Sequence, residues 1–203
     1  MSVELLKSGS GRVALILAHG AGAPMDSEFM TVISALLAER GIAVIRFEFP
    51  YMSQRRTGGS KRPPDRQPIL LDTWRQVISQ CDEYEKVFIG GKSMGGRMAS
   101  LIADESEVDG LVCLGYPFHP AKKPEKLRTE HLADLQTPTL IVQGTRDALG
   151  NIEEVSEYEL SSNIALRWLE DGDHDLKPRV KSGFTHDQHI KSAAEAIANF
   201  LLA

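Results

Sequence analysis

The chain reads as an α/β domain with a mostly parallel central sheet and helices on both faces. Three observations predict this class. Apolar runs of five to seven residues without polar alternation recur along the chain, as strands buried on both faces require. Segments of helical spacing separate them, so that strand, helix and strand follow in order and demand crossovers between parallel strands. Several runs end in loops of small, turn-forming or titratable residues, and an open parallel sheet gathers its functional loops at that edge.

Taken in order, Arg12 to Ala18 is the first such run, and it ends at His19-Gly20-Ala21-Gly22-Ala23. Ser27 or Asp26 is placed to cap a helix with Met30, Ile33 and Leu37 on its apolar stripe and Gly41 as its stop. Ile42 to Phe47 is the next strand. From Pro50 to Pro68 the chain is irregular and basic, with glycines and prolines throughout, and predicts a long loop. Pro68 suits the first turn of a helix in which Leu70, Trp74, Val77, Ile78 and Cys81 share one face.

Lys86 to Ser100, KVFIGGKSMGGRMAS, joins a buried strand to a glycine-rich turn and a helix. Gly91-Lys92-Ser93-Met94-Gly95 matches Gly-x-Ser-x-Gly, a strand-to-helix turn that lifts a strained serine above the sheet. A Cβ at position 91 or 95 would collide with the neighbouring strand or helix as the backbone doubles back, and Gly96 lets the helix approach closely. A phosphate-binding loop ending in Gly-Lys-Ser is the lesser alternative; its first glycine would fall at Lys86, inside the strand. Asp109 to Gly115 is the next strand, and Tyr116 to Gln136 mixes loop and short helix. Thr137 to Val142 is another strand, followed by Gln143-Gly144-Thr145-Arg146-Asp147. A helix near Ile152 to Tyr158, a strand near Ile164 to Leu169, the loop Asp171-Gly172-Asp173-His174-Asp175 and a helix aligning Ile190, Ala194, Ile197 and Leu201 complete the chain.

Composition narrows the function. A chain of 203 residues, 42% hydrophobic, has enough apolar content for one sizeable core and is short for two, so a single domain over 1–203 is expected. A net charge of −5 argues against a general nucleic-acid binder. Two cysteines, Cys81 and Cys113, form no disulfide framework and suit a reducing compartment; with neither an export signal nor a membrane-spanning run in view, a cytoplasmic protein is expected.

Four loops at the carboxyl edge carry His19-Gly20-Ala21, Ser93, Asp147 and His174. A serine hydroxyl becomes nucleophilic when a base takes its proton, and the base needs a carboxylate to fix its tautomer. Ser93, His174 and Asp147 fill these roles. Asp173 and Asp175 read as turn residues, either able to replace Asp147 as the orienting group. Backbone N–H groups of Ala21 and Met94 are the expected oxyanion hole. His19 reads as a structural residue beneath the oxyanion loop.

Charge placement bears on substrate. Tyr51 to Arg66 carries Arg55, Arg56, Lys61, Arg62 and Arg66 against Asp65 alone, and Phe118 to Glu130 is also basic. Both segments flank Ser93 on an acidic chain, which points to an anionic group on the substrate, with Arg55 and Arg56 as its ligands. Two solvated basic loops are the equal alternative.

With these residues in view, the chain resembles the α/β-hydrolase superfamily along nearly its whole length. More narrowly it resembles a compact branch that includes testis-expressed protein 30 and bacterial predicted hydrolases. The resemblance rests on HGAGA at 19–23, FPYM at 49–52, GGKSMGGR at 90–97, GYPFHP at 115–120, QGTRD at 143–147 and GDH at 172–174. The order Ser93, Asp147, His174 is that of the superfamily. The resemblance implies an α/β-hydrolase fold without a large lid and a serine hydrolase that cleaves a small ester or thioester through an acyl-enzyme, with no metal and no organic cofactor. Dienelactone hydrolases place a cysteine where this chain has Ser93, so that activity is not implied. Some eukaryotic relatives resemble parts of larger assemblies, which keeps a non-catalytic binding scaffold as the alternative.

Overall fold

The computed structural model describes residues 3–203. Among these residues seven strands form one sheet: β1 (Leu5–Ser8), β2 (Val13–Ala18), β3 (Ala43–Phe47), β4 (Lys86–Lys92), β5 (Gly110–Leu114), β6 (Thr139–Gly144) and β7 (Ile164–Leu169). Their spatial order is β1-β3-β2-β4-β5-β6-β7, parallel throughout except for β1, which pairs antiparallel with β3. β3 and β5 are buried along their whole length, matching their unbroken apolar sequences; at the edge, β7 alternates half-buried with exposed positions.

Among the described residues six α-helices flank the sheet: α1 (Glu28–Ala38), α2 (Pro50–Arg56), α3 (Gln67–Ile78), α4 (Met94–Ser100), α5 (Ile152–Val155) and α6 (His186–Leu201). Alternate strand residues face two cores. Ile89, Leu111 and Ile141 pack on one side with Trp74 of α3 and Met98 of α4. Phe88, Val112 and Val142 pack on the other with Ile33 of α1 and Ile197 of α6. Among the described residues, no helix is long and apolar enough to cross a membrane.

The chain runs from β2 outward to β3, then returns to place β4 on the other side of β2. The carboxyl ends of β2 and β4, where the loops diverge, form the switch point at which an open parallel sheet leaves a crevice. Ala18 pairs with Gly91 there, bringing the His19–Ala23 loop beside Ser93.

Several expectations are corrected. The segment expected to be loop from Pro50 begins with the helix α2, whose first turn holds Pro50 and whose Tyr51 and Met52 are buried. β1 was not anticipated; four residues are too few for a periodic signal. α5 is one turn long. Cys81 is buried but lies beyond α3. Ser27 occupies the N-cap position of α1 without a side-chain capping bond, and the Asp26 carboxylate is taken up by Arg56.

Candidate active site

Ser93 follows β4 with φ 52° and ψ −115°, a conformation that a non-glycine residue holds only when its surroundings impose it. The fit of the turn explains how it is imposed. A Cβ on Gly91 would lie 2.6 Å from the Ala18 carbonyl oxygen, and one on Gly95 would lie 2.6 and 2.7 Å from the carbonyls of Ala18 and His19. A Cβ on Gly96 would stand 3.1 Å from the sulfur of Cys113, so α4 sits flush on the end of the sheet. Ser93 N–H donates to the Leu114 carbonyl at 2.9 Å, fixing the turn to β5.

The three residues expected from chain order meet. His174 Nε2 lies 2.8 Å from Ser93 Oγ, and its Nδ1 lies 2.8 Å from Asp147 Oδ2. Asp147 is fully buried, and its other oxygen accepts from the N–H of Leu149 at 2.8 Å. Asp173 is a turn residue, accepting from the N–H groups of Asp175 and Lys177. Of the three candidate carboxylates, Asp147 is the one within hydrogen-bond distance of the imidazole.

Ala21 and Met94 line one cleft together with Ser93. The Ala21 loop is held from below. His19 is buried, its Nε2 accepts from Phe49 N–H at 3.2 Å, and its Nδ1 therefore carries the proton and donates to the Gly20 carbonyl at 2.7 Å. Burial keeps this imidazole neutral by lowering its pKa.

Three further side chains shape the site, each hidden from sequence reasoning. Tyr51 of α2 donates its hydroxyl to the Ala21 carbonyl at 2.9 Å, and burial pushes its pKa up to about 12, so the group stays a donor at neutral pH. Gln143 is fully buried at the end of β6, with its Nε2 2.9 Å from Asp147 Oδ2 and its Oε1 accepting from Tyr116 N–H at 2.7 Å. Lys92, inside the elbow motif, is buried with its Nζ 2.7 Å from the His174 carbonyl, 3.2 Å from Asp175 Oδ1 and 5.6 Å from the centre of the Phe29 ring. Desolvation lowers its pKa. Its sequence position inside the elbow motif carries no trace of this partner, which lies 82 residues further on.

Arg55 and Arg56, expected as substrate ligands, are both engaged by groups of the protein itself. Arg56 donates to both oxygens of Glu48, at 2.7 and 2.8 Å, and to both oxygens of Asp26 at 2.9 and 3.1 Å, tying α2 to the end of β3 and to the start of α1. Arg55 lies 5.4 Å from the centre of the Tyr51 ring and donates to the Arg62 carbonyl at 2.9 Å. Neither lines the clefts at Ser93.

Two such clefts meet at Ser93. One, of about 440 Å³, includes Ala21, Met94, Met98, Arg97 and Arg128; the other, of about 330 Å³, includes Gly20 to Ala23, Phe29, Lys92 and His174.

A serine, an imidazole and a buried carboxylate linked at the carboxyl edge of a mostly parallel sheet define an α/β hydrolase. The chain belongs to that family, whose alpha/beta hydrolase domain model matches residues 11–202. It is 24% identical over 169 residues to Esterase EstD of Thermotoga maritima; the match takes in 76% of this chain and 38% of the relative, so the chain spans little more than a third of that protein's length. Among solved structures it is similar to an alpha-beta serine hydrolase homologue from Coxiella burnetii, with a TM-score of 0.72 and 19% identity over 98% of this chain and 91% of that one. A Xanthomonas campestris serine hydrolase without a lid gives 0.74 and 19%, covering 98% and 89%. Est1E from Butyrivibrio proteoclasticus, bound to ferulic acid, gives 0.71 and 17%, covering 98% and 94%. At these identities the structural likenesses speak to the fold.

Proposed function

We propose that this α/β hydrolase is a serine esterase or thioesterase working through an acyl-enzyme. The observation that carries the reading is the unbroken chain from Ser93 Oγ through both nitrogens of His174 to Asp147, with 2.8 Å at each link. Ser93 Oγ attacks the substrate carbonyl while its proton passes to His174 Nε2, and Asp147 stabilises the imidazolium. The N–H groups of Met94 and Ala21 receive the oxyanion. His174 then returns the proton to the departing alcohol or thiol, leaving an acyl group on Ser93. Water, deprotonated by the same imidazole, releases the acid and restores the serine.

The esterase relative supports the substrate class, and a single sheet with a core on each face supports one domain. Two buried cysteines without a disulfide support a cytoplasmic location. A pure scaffold has no physical use for a strained serine on a complete hydrogen-bonded relay.

The test is covalent. A fluorophosphonate probe is expected to label the protein once, at Ser93 by mass spectrometry, and to leave Ser93→Ala and His174→Ala unlabelled. Turnover of a short-chain 4-nitrophenyl ester is expected to fall by roughly a millionfold in Ser93→Ala. Absence of labelling in the intact protein would favour the scaffold.

A further inference from the structure

Resting on the hydrolase reading above, we infer that Arg97 and Arg128 form an anion-binding subsite for the acyl half of the substrate, so that the ester or thioester cleaved at Ser93 carries a carboxylate on its acyl chain. Arg97 stands one helical turn beyond Ser93, its N–H donating to the Ser93 carbonyl at 3.0 Å. Residues so spaced share a helix face, and helical side chains lean toward the N-terminus, here toward Ser93. Arg128 reaches the same cleft from the segment after β5.

Among the described residues, neither guanidinium has an ion-pair partner, in contrast to Arg56 and Arg62 nearby. The Nε–H of Arg97 is buried without an acceptor. Burial and then the charge of Arg97 lower the pKa of Arg128, and burial together with the same charge lowers that of His131. The one carboxylate in the cleft, Asp65, is occupied: it accepts from Tyr51 N–H at 2.8 Å and pairs with Arg62 at 3.1 Å. Two uncompensated guanidinium groups facing one crevice set up a field that a bound anion completes, in the geometry that arginine offers to carboxylates.

The second cleft fixes which half of the substrate is anionic. His174 lines that cleft and must hand its proton to the leaving oxygen or sulfur, so the leaving group departs on that side. The crevice with Arg97 and Arg128 is left to the acyl chain, and Leu70, Met98 and Pro117 on its walls suit the methylenes between the carbonyl and a terminal carboxylate.

The experiment compares mono-4-nitrophenyl adipate with 4-nitrophenyl hexanoate, equal in acyl length and leaving group. The wild-type ratio of kcat/KM is expected to favour the adipate by roughly tenfold to a hundredfold, to shrink with added salt and to collapse toward unity in Arg97→Gln and in Arg128→Gln. Arg128→Gln, on an irregular segment, serves if Arg97→Gln does not fold. Calorimetric binding of monoethyl adipate to Ser93→Ala, lost in Ser93→Ala/Arg128→Gln, supports the subsite without requiring turnover. A preference for neutral hexanoate, with Ser93 still labelled by the fluorophosphonate, overturns the subsite and leaves the hydrolase standing. Equal turnover of both acyl esters, with a preference instead for hexanoylglycerol phosphate over hexanoylglycerol, overturns the acyl-side assignment. No labelling at Ser93 overturns the hydrolase reading itself.

Discussion

At the residue scale, the linked side chains of Ser93, His174 and Asp147 rest on neighbours outside that relay. Lys92 braces the backbone of His174 from beneath, so Lys92→Met, which keeps the stem against Phe29, is expected to lower kcat several-fold with KM nearly unchanged, and Lys92→Arg to recover part of the loss. Steady-state kinetics on the two variants separate this role from plain packing, which would shift the melting temperature alone. Tyr51→Phe removes the hydroxyl that holds the Ala21 carbonyl. The expected cost is about 1 kcal/mol of transition-state stabilisation, read as a several-fold fall in kcat/KM. Sequence reasoning reached Ser93, Asp147 and His174 because each ends a strand-loop unit and their order along the chain is informative. Lys92, Tyr51 and Gln143 stayed hidden because what they do is defined by atoms far away in sequence: 82 residues separate Lys92 from the carbonyl it holds.

At the element scale, the elbow is where steric tolerance is smallest. Gly95→Ala would press a methyl against the carbonyls of Ala18 and His19, two backbone groups with no freedom to retreat. The expected outcome is a loss of about 1–3 kcal/mol in denaturant unfolding together with loss of turnover, since relieving the clash moves Ser93 away from His174. Strands β2, β3, β4, β5 and β6 were legible because burial on both faces writes itself as an apolar run. β1 and α2 were not. Four residues of β1 carry no usable period, and in α2 the buried Tyr51 and Met52 are followed by cations that mimic a solvated loop until Glu48 and Asp26 are seen to neutralise Arg56.

At the scale of the whole molecule, two ion-paired clamps hold the rim of the site. Arg56 hydrogen-bonds Asp26 and keeps its carboxyl below the ordinary range, and Arg179 does the same for Asp171, which leads into the His174 loop. A carboxyl with a depressed native pKa contributes stability that is in place above the unfolded value of about 3.9 and is lost as the pH falls through the native value. The difference in melting temperature between the wild type and Asp26→Asn or Asp171→Asn is therefore expected to be largest near neutrality and to close progressively below about pH 4. A difference that grows on acidification would mean the clamps are not what these carboxylates contribute.

The close seating of α4 on Cys113 reaches beyond catalysis. With its sulfur walled in under Gly96 and the surrounding core, and burial holding the thiol protonated, Cys113 is out of reach of alkylating reagents for as long as that packing stays closed. The molecule thus contains its own clock: in a Cys81→Ser background, the rate at which iodoacetamide consumes the remaining sulfhydryl would report any opening that uncovers this core, with no label introduced from outside.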